Sequence, residues 1–270
     1  MKNKFKTALI ALIALPLLSL FLVSCEDDEP KIETKIVKEL VDPTRYAISI
    51  DMKQKVNGND LVLNTANKPY TTKNGEAFNV TKLRYLISDI TFNKADGSSF
   101  TINEYHLVDI SNSTTLQFNP TTKVPAGEYT SISFNFGFDR EDNITNGYSD
   151  LTTVLWNWPM PLGGGYHFMQ LEGKFDSLGT EKGFATHMGT ARNITPTDTT
   201  FEDNHFVAKP IASAITIDGE ESFSIIMNVE QWYENPYTWD LNKYGLMIMP
   251  KYDAQRKLNL NGPSVFTVEI

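Results

Sequence analysis

Histidine and methionine come close together at two places in this chain, each time beside glycine. Residues 156–173 read Trp156-Asn157-Trp158-Pro159-Met160-Pro161-Leu162-Gly163-Gly164-Gly165-Tyr166-His167-Phe168-Met169-Gln170-Leu171-Glu172-Gly173, and His187-Met188-Gly189 follows soon after. Imidazole nitrogen suits both oxidation states of copper, and a thioether shifts the preference toward Cu(I), so these residues form a donor set for a soft transition metal. His187 and His167 are the first-choice ligands and His205 the third, with Met169 and Met188 as soft ligands and Trp156 and Trp158 as oxidisable aromatics in the same segment. Period-two alternation after the glycines puts His167 and Met169 on one face of a strand, where both could approach one ion. His205 opens a strand after Glu202-Asp203-Asn204, and a hairpin could bring it across from His187. His106 stands in an apolar strand with no second ligand type beside it and is expected to be structural.

Other patterns exclude more than they propose. Gly163-Gly164-Gly165 lacks the Lys-Ser/Thr and helix of a phosphate loop, so its glycines serve a close backbone approach or a mobile turn. Asp139, Asp142, Asn143 and Glu172 offer oxygen ligands, without the spacing of a calcium-binding helix-loop-helix. Neither a nucleophile elbow nor a zinc-protease motif is present, and the carboxylates nominate no acid–base pair, so no catalytic residue is assigned and an enzyme is not expected.

Lys2, Lys4 and Lys6 precede an apolar run that ends in Ser24 and the single cysteine, Cys25. This is the pattern of a signal peptide over residues 1–24, with Cys25 placed for lipid attachment as in the lipobox of bacterial lipoproteins. A tether over residues 25–44 begins Glu26-Asp27-Asp28-Glu29 and resembles the acidic surface-export signal of Bacteroidetes lipoproteins. The expected location is the outer membrane, lipid-anchored, on its surface-exposed or periplasmic face. Removing the leader takes three lysines from the formal charge of −9 and leaves −12, which argues against nucleic acid as a partner.

The ligands need a frame, and residues 45–270 supply one. Alternating runs at 46–52, 80–92, 105–109, 127–139, 165–175, 181–188, 205–217, 221–229 and 265–270 are separated by Gly, Asn and Asp clusters. No apolar helical stripe is sustained over ten residues. The pattern predicts an all-β chain, a single antiparallel β-sandwich, with at most short helices near 143–155 and 232–244.

The ordered run of Leu83-Arg84-Tyr85-Leu86-Ile87-Ser88-Asp89-Ile90, Tyr105-His106-Leu107-Val108-Asp109, Pro125-Ala126-Gly127-Glu128-Tyr129, Phe134-Asn135-Phe136-Gly137-Phe138-Asp139, the 156–173 block and His187-Met188-Gly189 resembles the MbnP-like family across the whole mature domain. The resemblance implies an exported copper-binding protein for copper acquisition or handling. It further implies histidine ligands, a tryptophan at Trp156 or Trp158 open to conversion to kynurenine, and a dihaem peroxidase-type partner. Gln54 stands where many relatives carry histidine, and the 159–165 insertion lengthens the family's Trp-to-Tyr spacing. The alternative is a surface module without metal, binding glycan or peptide in the manner of an adhesin, on a platform of Trp232, Tyr233, Tyr237 and Trp239.

Overall fold

A computed structural model describes residues 42–209 and 214–270. Cys25, the leader and the tether up to residue 41 lie outside the described residues. The spine of the larger sheet is the 17-residue strand Ala77–Asn93. Its core-facing residues are Phe78 and Val80, then Leu83, Tyr85 and Ile87, then Ile90 and Phe92, so the period of two slips twice. An irregularity sits at each slip. Register against Met169–Ser177 shifts between Glu172 and Gly173, and register against Ser99–Asp109 shifts between Ser88 and Ile90, where Asp89 adopts a φ of 54°. Each bulge re-phases the strand so that its apolar side chains stay on the core side.

One edge of the spine pairs antiparallel with Met169–Ser177 and then with Ser131–Phe136; Thr180–Met188 lies outside Met169–Ser177, and Ser99–Asp109 pairs along the opposite edge. A second sheet is built on Ile48–Val56, Glu221–Asn228 and Phe266–Glu269. The two sheets meet through aromatic rings: Phe92 lies 6.2 Å from Phe223 and Phe134 5.1 Å from Phe266, between centroids. One continuous apolar core fills the space between them, the arrangement of an all-β sandwich.

The structure departs from the alternation pattern in three places. Ile48–Val56 and Glu221–Asn228 run parallel, because both are central in a sheet whose connections pass through the other layer. The stretch 127–139 is two strands: Gly127–Tyr129 pairs with Ile215–Ile217, while Ser131–Phe136 joins the larger sheet. Tyr129 is out of phase with Ile132, Phe134 and Phe136 for that reason. Third, Tyr252–Asn261 is a ten-residue α-helix whose buried side chains are Ala254, Gln255, Leu258 and Asn261. Half of that buried stripe is amide, so a search for apolar periodicity passes over it.

The aromatic tail is core and not a platform. Trp232, Tyr233 and Trp239 are fully buried, Trp232 packing on Phe136 at 5.1 Å and Trp239 on Tyr244 at 4.6 Å; Tyr237 alone of the four is exposed. Asn261 fixes the loop that carries them by accepting from Tyr237 N and donating to the Trp232 and Tyr237 carbonyls. Rings packed inside a sandwich offer no face for a sugar to stack on.

Candidate metal centre

The two leading histidines come together on the outer face of the larger sheet, the side away from the main core. In Met169–Ser177, Met169, Leu171 and Phe175 point into the core, so Gln170 and Glu172 point out. In Thr180–Met188, Phe184, Thr186 and Met188 are buried and His187 points out with Gln170, its direct cross-strand neighbour. Gln170 also pairs with Arg84 on the spine, and Arg84 with Asp109. The outer face thus carries a transverse polar row, Asp109, Arg84, Gln170 and His187.

A short antiparallel arm roofs this row. Asn157 bridges to Tyr166, Trp158 N donates to Gly165 O at 2.9 Å, and His167 N donates to Trp156 O at 2.9 Å. The connection between the arms needs three successive glycines at φ 113°, 68° and 80°, a conformation that side chains resist. It is held down by Asn143 and Thr145, whose oxygens accept from Tyr166 N and Gly165 N. The glycines therefore serve close approach. Gly189 does so too: a Cβ there would lie 2.5 Å from the Trp158 ring.

His167 sits under this roof, with ring centres 5.4 Å from Trp156, 5.0 Å from Trp158 and 5.4 Å from His187. The Arg84 guanidinium lies over the Trp156 ring at 4.8 Å, a cation–π contact. Met169 and Met188 are absent from this group. They pair with each other inside the main core, because the strand turns at Phe168 and sends His167 and Met169 to different faces. Nor does His205 join it. The chain leaves the sheet at Gly189 and forms a separate ribbon, Ala191–Ile194 with Thr199–Glu202, so His205 ends beside Asp203 at 2.8 Å. His106 is structural, stacked on Phe118 and bonded through Nε2 to Thr115 O at 2.8 Å. Gln54 donates to Tyr85 Oη and to Met52 O.

The tautomers follow from the partners. His167 Nδ1 faces Trp156 O at 3.1 Å, a carbonyl that only accepts, so Nδ1 carries the proton and Nε2 keeps its lone pair. His187 Nε2 lies 2.9 Å from Glu172 Oε1. Burial works to raise the Glu172 carboxyl, but His187 and Lys82 outweigh it and hold it below the usual carboxylate range. The carboxylate therefore accepts from Nε2–H, leaving the lone pair on Nδ1. Burial lowers both imidazoles, His167 to about 4 and His187 to a lesser degree because Glu172 opposes it. Both are neutral at pH 7, the form that binds metal.

These residues fit a metal ion. With a metal–nitrogen bond of about 2 Å, two imidazoles on one ion have ring centres at most roughly 6 Å apart, and here the separation is 5.4 Å. Glu172 and the Trp156 carbonyl each hold the far nitrogen of a ligand ring, the usual support for a ligating histidine. Gln170 is buried and its Oε1 has no hydrogen-bond partner, an acceptor facing the same side as His187. A second group of donors, Asp89, Asp139 and Asp142, has ligand atoms within 4.8 Å of one another. Its carboxylates already accept from Asn135, Glu141 N and Asp142 N.

Lowering the pH tests the burial of His167 directly. A histidine in the unfolded chain takes up its proton near 6.5, whereas folded His167 stays neutral down to about 4. The unfolded state therefore binds more protons in that window, and stability falls as pH drops through it, by about 3 kcal/mol for this group alone. Urea unfolding at pH 7 and pH 4.5 should show the loss, and His167→Gln should flatten it. An equal drop in the variant would assign the acid sensitivity elsewhere.

The MbnP family model matches residues 45–250, most of the chain. The protein belongs to the MbnP family. Among solved structures, MbnP from Methylosinus trichosporium superimposes with a TM-score of 0.54 at 12% identity, covering 84% of this chain and 99% of that one. At that identity the likeness establishes the shared fold. Among curated proteins nothing matches. In this MbnP-family chain, Gln170, Lys82 and Arg84 are the parts of the candidate site that the histidine and methionine pattern did not mark; their signal was positional, since each alternates with core residues on its own strand.

Proposed function

We propose that this protein binds one copper ion between His167 and His187 and serves copper acquisition or handling, tethered to the outer membrane through a lipid on Cys25. The observation that carries the reading is the pair of neutral imidazoles, ring centres 5.4 Å apart, each with one nitrogen anchored and the other carrying a free lone pair. Membership of the MbnP family supports copper over zinc for this nitrogen pair. His167 and His187 would hold the ion, Glu172 and the Trp156 carbonyl would orient them, and Gln170 supplies the nearby acceptor. The bound ion would supply a one-electron couple beside Trp156 and Trp158. Those rings are the site at which oxidation to kynurenine by a dihaem peroxidase-type partner would fall, Trp156 with its indole N–H buried and unpaired.

Metal content decides the reading. The untagged mature chain, equilibrated in turn with Cu(I), Cu(II), Zn(II) and Ca(II) and then desalted, should retain a single copper and neither zinc nor calcium. Loss of all copper on desalting would refute it. Peptide mass spectrometry of residues 156–158 after coexpression with a dihaem peroxidase should find kynurenine on one tryptophan.

A further inference from the structure

Four lysines on one side of the fold lack an acidic partner. Lys53 and Lys55 pair with Glu269, Lys68 and Lys174 with Glu181, and Lys82 with Glu172, whereas Lys182, Lys243, Lys251 and Lys257 form no salt bridge among the described residues. Three of the four gather on one ring: the ammonium groups of Lys243, Lys251 and Lys257 lie 4.9, 5.9 and 5.0 Å from the centre of Tyr244. Lys182 and Lys243 line a cavity of about 340 Å³ into which no carboxylate reaches. The acids nearby are already engaged. Asp240 accepts from the backbone N–H groups of Asn242 and Lys243, and Asp253 accepts from the Tyr244 hydroxyl. Four ammonium groups against these two carboxylates leave the region positive, in a chain whose formal charge is −9.

Apolar side chains stand out of the same region. Leu246 and Met247 are 56% and 75% exposed, and Met247 adopts a φ of 57°, a left-handed conformation that costs a methionine backbone energy. The turn that carries them is closed at its base, where Lys251 N donates to Ile248 O at 2.9 Å and Lys251 Nζ to Lys243 O at 3.4 Å. Leu246 and Met247 thus form its tip and two lysines its base. Leu246 borders the lysine-lined cavity on one side and an apolar cavity of about 430 Å³ on the other. An apolar tip above a collar of ammonium groups fits the boundary of an anionic bilayer, where the tip leaves water and the lysines remain among phosphates. A protein partner fits less well, because protein interfaces are depleted in lysine and enriched in arginine, and all four of these cations are lysine. We propose that the turn from Lys243 to Lys251, with Lys182 and Lys257 beside it, docks the domain on an anionic lipid surface. The inference is independent of the copper reading and uses neither His167 nor His187.

The test is cosedimentation with vesicles of phosphatidylcholine alone or mixed with phosphatidylglycerol, using the mature chain with Cys25→Ser so that no acyl group contributes. The chain should pellet with the mixed vesicles at low salt, come off as salt screens the lysines, and stay in solution with phosphatidylcholine alone. Lys182→Gln with Lys243→Gln should lower the partition coefficient by about fivefold per lysine. Met247→Asn removes the apolar tip and relieves the backbone, since asparagine accepts a positive φ, so it should fold at least as stably as wild type and partition severalfold more weakly. Near-UV circular dichroism checks the fold of each variant. A wild-type chain that stays in solution with the mixed vesicles, or one that both variants match, would overturn the docking surface. Loss in the lysine variant with none in Met247→Asn would overturn it too, by reducing the patch to an anion site open to any acidic macromolecule.

Discussion

Replacing His187 by alanine is expected to lower Cu(I) affinity by more than about 100-fold, beyond the upper end for loss of a supporting group. Two imidazoles supply the nitrogen of the site, and this change removes one of them outright. Glu172→Gln gives the graded control. The amide keeps the size of the side chain but loses the charge that fixes the His187 tautomer, and a drop of about 10–100-fold is expected. His205→Ala should leave affinity unchanged, since His205 belongs to Asp203 and faces Asp139 and Asp89. Competition against a Cu(I) chelator at pH 7 measures all three. Equal affinity in wild type and His187→Ala would eliminate the site; a large loss in His205→Ala would relocate it.

The difference between these histidines shows what a single sequence can carry. Strands were legible because inward positions are apolar at period two, and His167 and His187 stood out one by one, as imidazoles beside methionine and glycine, while the pairings drawn were His167 with Met169 and His187 with His205. Register was not. That Gln170 stands opposite His187 on one side and Arg84 on the other depends on which strands pair and by how much they slip, and the slips at Glu172 and Asp89 come from bulges. His205 was misplaced for a related reason: a run of strand signals looks the same whether it continues the sheet or leaves it as a separate ribbon. Met169 shows the opposite error. Strict alternation joined it to His167, but the strand proper begins at Met169, and the residues before it follow the roof.

The helix Tyr252–Asn261 adds a contribution that no apolar pattern announces. Gln255 accepts from Gly189 N at 3.2 Å and donates to His187 O at 2.8 Å, so a buried amide closes the end of the strand that presents the ligand. Its own helix ends in Asn261, which holds the Trp232 to Tyr237 loop. The same polar stripe thus ties the strand that carries His187 to the aromatic tail.

Trp239→Ala is the second large effect and separates the copper reading from the surface-binding alternative. The indole is fully buried against Tyr233 and Tyr244, and Tyr244 is itself held by Asp253 and Lys257. Removing it leaves a cavity in a packed aromatic cluster, and a loss of about 3–5 kcal/mol in unfolding free energy is expected. Because the mean residue in such a cluster is rigid, relaxation fills little of the gap. A glycan-stacking residue would behave the other way, with polysaccharide retention lost and stability nearly unchanged, since an exposed ring contributes little to folding. Chemical denaturation beside affinity electrophoresis distinguishes them. A variant as stable as wild type that no longer binds polysaccharide would refute the buried role; a variant unfolding at markedly lower urea places Trp239 in the core that holds Thr180–Met188, and with it His187, in position.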